Sequence, residues 1–254
     1  RAGVKSVVVV DDGSTDSTSQ AAADAGAVVV RRERTGGKGA AIADGLSLAR
    51  ARTGARSPAR IRERVPSGPG TGARSPARIR ERVPSGPGTG ARSPARIRDP
   101  GPRAEAGLGC VVFADADLGD SAEEIAKVIA PVAGGLADMA VAGFPAVPGG
   151  GFGLAVGLAR VGVRCLCGVN LTWPLSGQRA LRADLLFAMM DAGFGPECGF
   201  GFEVGLTVDW LRAGYSLVEV PTLMTHRATG RTIAGFAHRS RQFAAVARAL
   251  ALRF

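Results

Sequence analysis

Two apolar runs, each cut off by acidic side chains, restrict what this chain can fold into more than any other feature. Residues 6–10 read SVVVV and run straight into Asp11-Asp12-Gly13; residues 110–114 read CVVFA and run into Asp115-Ala116-Asp117. A strand with one wet face alternates apolar with polar residues. These two do not, so each is expected to be covered on both faces of a largely parallel sheet. Ser14 or Thr15 can cap a helix over residues 17–25, Gly26 stops it, and residues 27–30 give a second strand. Gly36-Gly37-Lys38-Gly39 opens a helix running to about Ala51; a further helix is expected over residues 121–132 and a strand over 138–143. Strand–helix alternation of this kind means an α/β sheet, with ligands at the carboxyl ends of the strands.

Between these halves lies a segment of different character. Residues 53–70 read TGARSPARIRERVPSGPG, residues 71–88 repeat them without one change, and TGARSPARIR follows. Residues 51–103 hold 13 arginines against Glu63, Glu81 and Asp99, which accounts for the whole net charge of +10 and leaves the rest of the chain neutral. Each repeat offers one isoleucine and one valine amid Arg, Pro, Gly and Ser, too little apolar surface to offset the entropy of ordering it. A disordered insert over residues 53–107 is therefore expected. A generally basic nucleic-acid-binding fold is excluded as a first reading, and no nucleic-acid partner is expected.

The cysteines Cys110, Cys165, Cys167 and Cys198 form no CxxC pair and are too few for a disulfide scaffold, which suits a reduced, cytoplasmic protein. Residues 149–169, the longest apolar stretch, are interrupted by Arg160 and Arg164, short of a membrane span.

The sharpest chemical signal is Asp115 with Asp117. At i and i+2 on leaving a strand both side chains can face one way, and two adjacent carboxylates repel unless a cation joins them. Such a cation neutralises a diphosphate leaving group as its bond breaks. Lys38, in a Gly-rich turn at a helix start, suits a phosphate; Asp11 and Asp12 lie where a sheet of this type would hold a nucleoside. Plainer readings stand beside these: a solvated lysine, and turn-forming or capping aspartates. The chain has neither a GxxxxGK[ST] loop nor a GxGxxG after its first strand.

VVVVDDGSTDST, GGKGAAIADGL, VVFADADLGD, PLSGQRAL and GFGFEVGLTVDWLRAGYSLVEVP ending in THR occur in that order. Together they resemble the motifs of family 2-type glycosyltransferases with the GT-A fold, most similar to glucosyl-3-phosphoglycerate synthases and related bacterial enzymes. The resemblance implies a Rossmann-like mixed α/β sheet. Its nucleotide-binding half would occupy residues 1–52, and its DxD and acceptor-binding half residues 108–230. It also places a strand ahead of Arg1, with a Pro-Ala-x-Asn-Glu-like stretch for the base, so the sheet as written lacks its first strand.

The same resemblance implies roles. Asp11, Asp12, Gly13, Lys38, Asp115 and Ala116 would hold a nucleotide-sugar donor; Asp117, Asp115 and His226 would hold Mg²⁺ or Mn²⁺, with Asp117 the closer ligand. Ser176, Gly177, Gln178 and Arg179 would form the acceptor-side loop, and Glu203 would be a catalytic base or a ligand of a sugar hydroxyl. The implied activity is transfer of a hexose, from UDP-glucose foremost, to a phosphate-bearing acceptor such as 3-phosphoglycerate or a polyprenyl phosphate. A homodimer is compatible with it. The synthases' Gly-Arg-x-Thr-like loop corresponds here to residues 151–154 (GFGL), which has no arginine. Rival readings are a nucleotidyltransferase acting on sugar phosphates and a non-catalytic nucleic-acid binder working through the repeat.

Residues 231–254 alternate arginines with Ile233, Phe236, Phe243, Val246 and Leu250, as in a basic amphipathic helix. Such a helix either packs on the domain or lies peripherally on the inner face of an anionic membrane.

Overall fold

The computed structural model describes residues 4–53, 109–145, 153–194, 201–225 and 233–254. The 18-residue repeat, the residues 146–152 and His226 therefore lie outside the described residues.

Strand β1 (Val8–Asp11), helix α1 (Thr18–Asp24), strand β2 (Val28–Arg31) and helix α2 (Lys38–Thr53) follow one another, and β1 pairs with β2 in parallel, Val8 opposite Val28. Beyond the repeat come β3 (Cys110–Phe113), a short 3-10 helix (Gly119–Glu124), α3 (Ile125–Ala133) and β4 (Met139–Gly143). The chain continues through α4 (Gly153–Cys167), β5 (Arg179–Arg182), α5 (Ala183–Asp191), α6 (Phe202–Arg212), β6 (Leu217–Pro221) and α7 (Ile233–Ala251). The four later strands form one sheet in the order β3-β5-β4-β6. β5 runs antiparallel to both neighbours and β4 parallel to β6, so β3, β4 and β6 all point their carboxyl ends the same way. The mixed α/β sheet expected from the sequence is present. Among the described strands it is divided into a two-stranded and a four-stranded piece with no hydrogen bonds between them.

The expectation that residues 6–10 and 110–114 are covered on both faces is corrected. Val8 to Val10 and all of β3 are only half-buried, and Val7 is exposed. The reason is position: β1 and β3 each pair along one edge among the described strands, and an edge strand cannot be enclosed as an inner one is. The enclosed strand is β4, buried at every residue. Its alternate residues serve two cores. Met139 and Val141 join Leu46 of α2 with Phe187, Leu206, Trp210 and Leu250. Ala140 and Ala142 face Val128 and Val132 of α3. Helices thus cover both faces of the larger sheet, with α3 on one side and α4 to α7 on the other.

On the C-terminal helix Val246, Ala249 and Leu250 are buried in the main core, so that side of α7 packs on the domain; Phe243 is 42% exposed, and the side chains of Ile233 and Phe236 lie outside the described residues. Among the described residues no helix is long and apolar enough to cross a membrane.

Candidate active site

The two acidic strand ends behave differently. Asp11 is buried and accepts hydrogen bonds from Ser14 N (2.7 Å) and from the Ser19 hydroxyl. The Ser19 and Ser14 bonds hold its pKa down to about 2. Its oxygens are thus committed to the turn that starts α1, and the expected role in donor contact does not fit its burial. Asp12 is more open, and it organises the glycine loop. Its Oδ1 accepts from Gly36 N (2.9 Å), its Oδ2 from Gly37 N (2.7 Å), and Arg32 Nε lies 2.9 Å from Oδ1. Gly13 has φ 93°, and a Cβ there would lie 3.0 Å from Thr35 Oγ1, so this crossing needs glycine.

With the loop pinned by Asp12, Lys38 begins α2 and reaches across to the other sheet. Its Nζ lies 2.9 Å from Asp115 Oδ1 and 2.7 Å from Glu203 Oε1. Burial disfavours the ammonium, but the carboxylates of Glu203 and Asp115 outweigh it, and the pKa is raised above 10.5. Asp115 Oδ2 accepts from Gln178 Nε2 at 2.8 Å. Gly177 presses against the same pair: a Cβ would sit 2.7 Å from Asp115 Oδ2 and 2.8 Å from Lys38 Nζ. Residues 63 and 77 positions apart thus meet in one charged cluster at the carboxyl end of β3.

Beneath it lies a second cation. Arg179 is fully buried, its Nε and one terminal nitrogen donating to Ser176 O (3.2 and 2.5 Å) and the other to Glu203 O (3.1 Å) and Thr207 Oγ1 (3.2 Å). Burial brings its pKa down to about 10, with Glu203 and Asp115 opposing that, and the group stays cationic at neutral pH. Arg179 was expected to face an acceptor. It is instead an interior strut that fixes the first turn of α6, the turn that carries Glu203. Ser176 and Gln178 are also buried, and the buried Gln178 Oε1 has no hydrogen-bond partner among the described residues.

Beyond Asp115 the chain turns outward and exposes Ala116, Asp117 and Asp120. Residues 115–121 and Thr225 line an open cavity of about 830 Å³. Thr225 is held there by its N–H donating to Ser121 Oγ (3.1 Å), and Ser121 in turn donates to Leu118 O (2.6 Å). The described chain leading toward His226 therefore forms a wall of the DxD cavity. Among the described residues no three His, Cys, Asp or Glu side chains gather as a ready-made metal cage.

The fit to a divalent ion is that of a cation shared with a ligand. Two exposed carboxylates, Asp117 and Asp120, border one cavity, an oxygen-only donor set of the kind Mg²⁺ and Mn²⁺ accept when substrate phosphates complete the shell. Sequence reasoning missed the Gln178–Asp115 bond and the Ser121–Thr225 clasp. Neither has a signal in a single sequence, since both depend on where β5 and β6 are placed in the sheet.

Residues 2–53 match the sequence model of Glycosyl transferase family 2. An undecaprenyl-phosphate mannosyltransferase from Micrococcus luteus is 39% identical over 69 residues, which are 27% of this chain and 28% of that protein; the match spans little more than a quarter of the relative's length. Among solved structures, glucosyl-3-phosphoglycerate synthase from Mycobacterium tuberculosis in complex with phosphoglyceric acid aligns with a TM-score of 0.58 at 22% identity, covering 98% of this chain and 69% of that one. The same synthase with Mn²⁺, UDP-glucose and phosphoglyceric acid gives a TM-score of 0.58 at 20% identity, with coverages of 98% and 69%. Residues 2–53 thus carry a family 2 signature, and the fold is that of the GT-A glycosyltransferases.

Proposed function

We propose that this chain is a metal-assisted hexosyltransferase that takes its sugar from a nucleoside-diphosphate donor, UDP-glucose foremost, and delivers it to a phosphate-bearing acceptor. One observation carries the reading: Lys38, Asp115, Gln178 and Glu203 converge at the strand ends, beside a cavity bordered by Asp117. Support for the substrate classes comes from the relatives, one named for undecaprenyl phosphate and another solved with UDP-glucose, Mn²⁺ and phosphoglyceric acid.

Asp117, with the donor's diphosphate oxygens, would hold the divalent ion. When bound, that ion supplies electrophilic charge to the departing diphosphate. Lys38 adds a second positive charge, trading one carboxylate partner for a phosphate oxygen, and its raised pKa keeps it charged while it does so. Asp115, held by Gln178 and Lys38, sets the loop from which Asp117 projects. Glu203, braced through its own carbonyl by Arg179, accepts a hydrogen bond from a hydroxyl of the sugar or takes a proton from a hydroxyl acceptor. In the transfer the anomeric carbon loses its bond to the diphosphate oxygen, which leaves with the electron pair as the nucleoside diphosphate, and gains a bond to an acceptor oxygen.

The decisive assay incubates the chain with UDP-glucose, Mn²⁺, and either 3-phosphoglycerate or a short polyprenyl phosphate. Acceptor-dependent release of free UDP is the expected result; release of pyrophosphate would make it a nucleotidyltransferase instead. Asp117→Ala should lower turnover by roughly 10²–10⁴, about 3–5 kcal/mol of barrier, with the fold intact by circular dichroism. Turnover within tenfold of the parent would remove Asp117 from the reaction.

A further inference from the structure

One face of α4 is left uncovered by the described chain. The helix buries Ala155, Ala159, Gly162 and Val163, and at Gly162 it lies so close to α7 that a Cβ would meet Leu250 Cδ1 at 2.4 Å. On its opposite side Leu154 (82% exposed), Val161 (60%) and Cys165 stand at i, i+7 and i+11, one stripe along the helix. Exposed Arg160 and Arg164 border that stripe. The neighbouring α7 adds exposed Arg241 and Arg248, and Phe243 at 42% exposure. Neither helix contains a single Asp or Glu, and among the described residues no carboxylate pairs with any of these four arginines. Among the described residues this surface is therefore apolar at its centre and cationic around it, and its two helices supply no acid.

From this we infer that the outer faces of α4 and α7 form a peripheral docking surface for an anionic lipid bilayer. A second copy of the chain fits poorly. A two-fold pairing of α4 on itself would press Arg160 and Arg164 of both copies into one seam with no carboxylate to neutralise them. Acidic headgroups supply the missing charge, and the headgroup–acyl boundary accepts Leu154 and Val161 to the shallow depth that an in-plane helix reaches. The apolar centre of the surface lies on α4, since the core already uses Val246, Ala249 and Leu250 of α7.

The docking face and the candidate active site open at the same end of the sheet. Arg160 donates from Nε (3.1 Å) and from a terminal nitrogen (2.6 Å) to Thr172 O, and the ring of Trp173 lies against Gly143 at the carboxyl end of β4. That is also the end at which Asp115 leaves β3. A chain seated through α4 would hold its cavity near the headgroup plane. The docking itself is independent of which sugar or acceptor the cavity serves.

The test is vesicle binding by the full chain, labelled at Cys165 with an environment-sensitive dye in a Cys198→Ser background. Cys110 and Cys167 are half-buried thiols whose pKa burial pushes up to about 11, so Cys165 labels first. Phosphatidylcholine vesicles containing about a third phosphatidylglycerol should blue-shift the dye and allow quenching by brominated lipid, whereas pure phosphatidylcholine should not. Leu154→Asp with Val161→Asp, and separately Arg164→Glu, should each weaken partitioning by at least about tenfold at unchanged melting temperature. Undiminished binding of these variants, or binding with no change at Cys165, would assign adsorption to the arginine repeat and overturn the proposal. So would a vesicle-free dimer that Leu154→Asp with Val161→Asp dissolves, which would make the face a contact between copies.

Discussion

Gly177 shows how little room the charged cluster leaves. An added methyl would stand within 2.8 Å of both Asp115 Oδ2 and Lys38 Nζ, atoms whose mutual position defines the site. Gly177→Ala is expected to push the ammonium and carboxylate apart and lower kcat/KM by about 10- to 100-fold, since displacements near 1 Å in a reacting geometry cost that much. The melting temperature should stay within a few degrees, because Gly177 is only half-buried. Steady-state kinetics beside a thermal melt separate the two effects. At this scale the sequence disclosed chemical type well and burial badly. Asp115, Asp117 and Lys38 could be marked from their spacing and glycine context, and Lys38 does meet Asp115. Asp11 and Arg179 could not be read, because nothing in a string of letters tells a carboxylate that faces a ligand from one that closes its own turn. The same holds for an exposed arginine and a strut whose nitrogens are taken up by Ser176, Glu203 and Thr207.

Among the elements, β4 is the keel of the larger sheet, and its first end is secured by an acidic group. Asp138, 5% exposed, accepts from Ser216 N (2.9 Å) and Ser216 Oγ (2.7 Å) and faces Arg182 at 3.3 Å, which ties the starts of β4 and β6 to the end of β5. Asp138→Ala would strand these donors in the interior and should cost about 3 kcal/mol of stability, measured by urea denaturation, while leaving the distant cavity chemistry unaltered in the folded fraction. The elements that sequence patterning located best were those with β-branched runs or capped starts: β1, α1, β2, α2, β3, α3 and β4 all lie within a few residues of their expected spans. α4 was harder. Its sequence, GLAVGLARVGVRCLC, reads first as an apolar stretch interrupted by Arg160 and Arg164, and its three glycines weaken the local preference for helix. β5 was hidden for another reason, since an antiparallel strand of four residues between a turn and a helix has no pattern of its own.

Taken whole, the described molecule is two sheets joined chiefly by α2. Leu46 on that helix is buried in the main core, Arg50 makes a two-pronged pair with Asp191 of α5 (2.6 and 2.9 Å), and Lys38 closes the top against Asp115 and Glu203. The uppermost of these links is pH-dependent in a defined direction. Because the pKa of Lys38 is raised in the fold, its contribution is intact below 10.5 and is lost as pH climbs through the higher folded value. Asp11 acts at the other extreme: held down to about 2, it stabilises fully above 3.8 and ceases to do so as pH falls through about 2. Melting temperatures across the pH range should therefore be level from about pH 5 to 10 as far as these two groups are concerned, and Lys38→Met should diminish the alkaline fall, the remainder coming from Cys110 and Cys167, whose thiols are held up to about 11 in the fold.

Among the described residues, α2 thus brings the charge at its head to bear on both sheets. The fittings at its head are the charges that a diphosphate would borrow. Under the proposed function a donor's diphosphate would compete with Asp115 and Glu203 for Lys38, so binding it would loosen the contact at the head of α2.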